Sequence, residues 1–62
     1  STFTPAQRKT FRASKSAWTF FAKQAPSYRQ RCTYWVTSAK QEATREKRLA
    51  KLIALCAAGK TL

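Results

Sequence analysis

One glycine and two prolines are the only strong turn formers in this chain of 62 residues. Such sparse punctuation leaves little room for the tight turns of a small β-barrel and favours a few helices. A chain this short makes one domain, residues 1–62, and buries roughly 60% of the surface its unfolded form exposes. Hydrophobic residues make up 44% and eight residues are aromatic, which is too apolar for a disordered basic tail.

The helices can be placed from their ends. Thr4-Pro5-Ala6-Gln7 reads as a capped start, with Pro5 at the first helical position and Gln7 closing a capping box. That first helix runs to about Arg12 and offers Phe3, Ala6 and Phe11 to a core. Ser14 caps a second helix over residues 15–24, with Ala17, Trp18, Phe21 and Ala25 on one face and Phe20 beside it. Pro26 stops it. Ser27-Tyr28-Arg29-Gln30 reads as another capping box, and Tyr28, Cys32, Trp35, Val36 and Ala39 form a helical stripe. Arg29, Gln30 and Arg31 are expected to flank that stripe or face away from it. A break near Lys40 gives a fourth helix over residues 41–58, with Leu49, Leu52, Ile53 and Cys56 inside and Gly59 ending it. The expected fold class is all-α, a compact bundle of three to four helices.

Charge constrains function more than fold. Thirteen Lys and Arg face two Asp and Glu, for a net charge of +11, and no acid precedes Glu42. A field of that sign favours polyanions: nucleic acid, an acidic protein or an anionic membrane face. No apolar run approaches the ~20 residues that span a bilayer. The acid-free first 25 residues resemble an organellar transit peptide, but their helix caps and apolar pattern favour a folded element. The expected location is cytoplasmic, beside the nucleoid, with an organelle matrix as the alternative. A start on Ser rather than Met reads as a chain processed or cut from a longer one.

On a helical wheel, Lys40, Thr44, Lys47 and Lys51 share one sector, with Arg48 at its edge, opposite the apolar stripe. This ridge can follow a phosphate backbone, with Arg29 and Arg31 assisting, or it can be a merely solvated basic face. Arg45 projects about 140° from Lys40, toward Leu49 and Leu52. A guanidinium there needs a carboxylate such as Glu42, helix-end carbonyls or a bound anion. Tyr34 lies off the stripe beside Arg31. It can stack on an unpaired base, pack on the first helix or cover the Arg31 stem. Trp18, Phe20, Phe21 and Trp35 read as core.

The catalytic reading is negative. There is no His and no Asp. Glu42 and Glu46 share a helix face amid cations and read as salt-bridge partners rather than an acid/base pair. Cys32 and Cys56 fall on apolar stripes and read as buried free thiols, with a disulfide as the alternative. No metal site or cofactor is expected.

Phe20-Phe21, Pro26-Ser27-Tyr28-Arg29, Trp35-Val36, Ala39-Lys40, Thr44-Arg45, Arg48-Leu49-Ala50-Lys51, Ile53, Leu55 and Gly59 follow a recognisable order without gaps. Residues 14–59 thereby resemble the C-terminal helical module of the bacterial YdeI/OmpD-associated, or bacteriocin-protection, family. The chain departs from the family's pattern at Glu42-Ala43, where Pro-Glu is usual, and at Cys32, where a larger apolar residue is common. The resemblance implies an all-helical module. Its matched polar positions, Ser27, Tyr28, Arg29, Lys40, Thr44, Arg45 and Arg48, suggest a shared anion site. The envelope and bacteriocin phenotypes behind the family's names suggest protein interaction instead. The function expected first is a non-enzymatic nucleic-acid-binding module using Arg29, Arg31, Tyr34, Lys40, Thr44, Arg45, Lys47, Arg48 and Lys51. The alternative is a module binding an acidic protein partner, and peripheral binding to anionic membranes ranks last.

Overall fold

A computed structural model describes residues 2–61 as four helices. These are α1 (Pro5–Ala13), α2 (Lys15–Ala22), α3 (Pro26–Thr37) and α4 (Glu42–Ala57). The first start forms as the sequence suggests. The Thr4 hydroxyl accepts from the Gln7 amide at 3.2 Å, and the Gln7 side chain accepts from the Thr4 amide at 2.9 Å. At the other end of the fold, Gly59 takes φ 72, which a Cβ would disfavour. Its amide reaches Cys56 O at 3.0 Å and the Lys60 amide reaches Leu55 O at 2.8 Å, so two orphan carbonyls of α4 are satisfied.

Two other starts differ from expectation. Pro26 is the first residue of α3, not a stop before it, and Ala25 is the N-cap. Proline's fixed φ suits that position and its missing N–H costs nothing there, so Ser27 lies inside the helix and caps nothing. Ser14 is the N-cap of α2 but its side chain makes no capping bond.

The core is aromatic on one side and aliphatic on the other. Phe11 lies 4.9 Å from Phe21 and 5.3 Å from Trp18, and Phe3 packs at 5.9 Å from Phe11, ring centre to ring centre. Ala6, expected beside them, is exposed. Phe21 is buried, while Trp18, Phe20 and Trp35 lie half-buried against the core. Leu49, Leu52 and Cys56 of α4 meet Cys32 and Val36 of α3. Helix α2 packs on both α1 and α4.

The inward face of α3 is rotated from the expected stripe. Thr33 is buried and Arg29 half-buried, whereas Trp35 sits at the flank. Thr33 can be buried because its hydroxyl donates to the Arg29 carbonyl at 2.7 Å, leaving its methyl to pack. Both cysteines are buried free thiols. Among the described residues, no helix is long and apolar enough to cross a membrane.

Candidate polyanion-binding surface

The last four carbonyls of a helix lack partners within it, and the end of α3 is buried against α4. Arg48 of α4 supplies a donor to one of them, and Arg45 does the same for carbonyls of the connection that follows. Arg48 Nη1 donates to the Trp35 carbonyl at 2.8 Å. Its guanidinium carbon also stands 5.4 Å from the centre of the Trp35 ring, within cation–π range. Arg45 Nη1 donates to the Ala39 carbonyl at 2.9 Å and to the Lys40 carbonyl at 3.0 Å. Both charges sit near the negative end of the α3 dipole, where cations are favoured.

This clamp explains Arg45. The guanidinium turns inward, as its helical angle requires, and its partners are the carbonyls that follow α3. Glu42 does not pair with it. Among the described residues neither Glu42 nor Glu46 forms an ion pair, so the salt-bridge reading of both acids is corrected. Backbone carbonyls fixed in the tight connection capture the guanidinium, and both carboxylates remain exposed.

The clamp also reshapes the basic ridge. Lys40 is not helical: Gln41 is the extended N-cap of α4, with φ −95 and ψ 140. Lys40 therefore has no place on the α4 wheel, although it is exposed. Thr44 is half-buried, and Arg48 leans toward α3. The outward part of the ridge on α4 is Lys47 and Lys51, both exposed and one turn apart. Their Cβ atoms are then about 6 Å from each other.

Helix α3 contributes differently on its two sides. Arg31 and Tyr34 are exposed, and Tyr34 is 64% accessible, the one large aromatic in the described residues so open to solvent. It is therefore free to stack rather than being spent on packing. Arg29 is on the other side and half-buried, at the flank of the inward face. Its Nε is buried and has no partner among the described residues. Arg29 is thus partly withdrawn from solvent, while Arg31 is exposed.

The thiols belong to the core. Burial pushes the Cys32 thiol pKa up, against smaller lowering effects from a Tyr28 hydrogen bond and the Arg31 charge. Burial also pushes Cys56 up, reinforced by nearby Cys32. Both stay protonated at neutral pH and are weak nucleophiles there. Among the described residues no group of three or more His, Cys, Asp or Glu could hold a metal ion.

Sequence reasoning found the inward turn of Arg45 from its angle alone. It missed the matching role of Arg48, whose acceptor lies thirteen positions earlier on another helix. The one available signal was the recurrence of Thr44-Arg45 and Arg48 beside Trp35 in the resemblance.

These features define a small four-helix module in which arginines of the last helix close the end of the third. The family described as OmdA: Bacteriocin-protection, YdeI or OmpD-Associated matches residues 2–59, so the match takes in α1 as well. The chain belongs to that family. No curated protein and no solved structure matches it.

Proposed function

We propose that this chain is a non-enzymatic module that binds nucleic acid through its phosphate backbone. The observation that carries the reading is the set of exposed cations that form no ion pair among the described residues, Lys40, Lys47, Lys51 and Arg31, on a chain of net charge +11. Exposed Tyr34 adds a stacking surface for an unpaired base. Arg45 and Arg48 support the surface from beneath through their bonds to the end of α3 and the connection after it, Thr44 is half-buried, and Arg29 is a minor contributor. The cytoplasm, beside the nucleoid, is the compartment this reading fits.

The test is binding to duplex DNA, single-stranded DNA and RNA at two salt concentrations. Phosphate-led binding weakens steeply with salt, by a log–log slope of about −0.9 per phosphate contacted on duplex. Affinity that is flat in salt for every nucleic acid sinks the proposal.

A second reading has its own support. The family's description includes OmpD-Associated, which favours a protein partner. An acidic partner would suit the same exposed lysines. A complex that survives nuclease treatment and high salt would favour this reading over the first. Sedimentation with anionic vesicles tests the membrane alternative.

A further inference from the structure

Helices α1 and α4 diverge on one side of the bundle and leave a groove of about 760 Å3. Small or apolar residues form its walls: Ala6 and Thr10 from α1, and Leu49, Ala50, Ile53 and Ala54 from α4. Ala6, Ala50 and Ala54 are exposed, and Ile53 is only half-buried. A volume of this order lies within the range of small-molecule sites.

The charge along the groove is opposite to that of the rest of the chain. Both acidic residues of the protein, Glu42 and Glu46, line it. The one cation lining it is Arg45, whose guanidinium already donates to two backbone carbonyls. Two acids against one cation leave the groove at −1, while the other twelve of the thirteen cations lie outside it. Neither carboxylate has an ion-pair partner among the described residues. They stand four residues apart on α4, so their side chains rise from the same face about 6 Å from each other.

We infer that the α1–α4 groove is a binding site for an amphipathic organic cation, an aliphatic chain ending in an ammonium group. The chain would cover the alanine and isoleucine walls. The ammonium would sit at Glu42 and Glu46, where both carboxylates can accept hydrogen bonds from it. Lys47 and Lys51 stand three residues before Ala50 and Ala54 on α4, beside the groove but not lining it, and the site does not rest on nucleic-acid binding.

The selectivity this predicts runs against net charge. A protein at +11 should prefer an anionic amphiphile if the overall field decides. The groove predicts the reverse. The experiment titrates the protein with dodecylammonium and, separately, with dodecanoate, each below its micellar concentration, and follows methyl NMR signals. Dodecylammonium is expected to shift the Ala6, Ala50, Ala54 and Ile53 methyls saturably. It should bind about tenfold more tightly than dodecanoate, a difference of roughly 1.4 kcal/mol. Glu46→Gln should reduce the preference, and Ala50→Phe should block both probes without changing charge. Equal or tighter binding of dodecanoate overturns the inference, as do shifts that lie outside the groove. The comparison of the two probes needs only the unaltered chain, so it stands even where a variant folds poorly.

Discussion

The arginines at the α3–α4 junction and the lysines on the outer face of α4 carry the same charge in opposite settings. Arg45 and Arg48 are half-buried and spend their donors on backbone carbonyls. Lys47 and Lys51, within the same stretch of helix, reach only solvent. The difference lies in what each side chain finds at its end. A planar guanidinium can bridge several fixed carbonyls at once and is less strongly hydrated than an ammonium, so it tolerates partial burial. A lysine ammonium holds its water and stays outside. The net charge of this protein is therefore not one property. Part of it closes the fold, and part of it remains free to meet a partner.

Substitutions can separate the two parts. The largest effect on stability is expected for Arg45→Ala, which leaves the Ala39 and Lys40 carbonyls without their donor. Hydrogen bonds to a charged group contribute about 1.5–3 kcal/mol, so a loss of about 2 kcal/mol is expected in urea unfolding. In a domain of this size that lowers the melting temperature by roughly 8–16 °C, at about 4–8 °C per kcal/mol. Arg48→Ala removes one bond to Trp35 and the contact with its ring, for a loss of about 1–2 kcal/mol. Equal stability in either variant would break the distinction between the two sets. Lys47→Gln with Lys51→Gln should change unfolding by no more than about 0.5 kcal/mol, as for ordinary surface positions.

The smallest effect concerns an outward cation that still reaches the interior. Arg31 lowers the Cys32 thiol pKa, although burial dominates and keeps it raised above the ordinary 9.0. Arg31→Gln should raise it further, read from the Cys32 13Cβ NMR shift as pH is raised. For both cysteines the folded state holds the proton more tightly than the unfolded state. Their contribution to stability is thus fully present below about pH 9 and is lost as pH rises through the higher folded values. Cysteine 13Cβ NMR shifts followed through alkaline pH in the folded and the unfolded chain check that direction; thiols that ionise no later in the folded chain would contradict it.

Much of this arrangement was legible in the sequence. Thr4, Pro5 and Gln7 fixed the first helix start, and Gly59 fixed the last helix end, because both signals are local. The inward turn of Arg45 followed from the 3.6-residue period alone. The face of α3 did not. Counting apolar residues places Trp35 inside and passes over Thr33, but Thr33 satisfies its own hydroxyl within the helix and packs as a small apolar residue. The role of Arg48 was hidden because its acceptor belongs to a different helix. The α1–α4 groove was hidden for a similar reason, since it exists only where two helices diverge. Its two glutamates, read from sequence as partners of nearby cations, form no ion pair with them among the described residues.

The division of the cations is tested most directly by the salt dependence of duplex DNA binding, measured for two double variants. One, Lys47→Gln with Lys51→Gln, removes two outward charges. The other, Arg45→Lys with Arg48→Lys, keeps the charge but loses the guanidinium geometry. The first should retain the stability of the unaltered chain and show a log–log salt slope shallower by about 1.8, the share of two phosphate contacts. The second should lose stability and keep the original slope at a temperature where it remains folded. An unchanged slope in the lysine variant, together with a shallower slope in the arginine variant, would contradict the account.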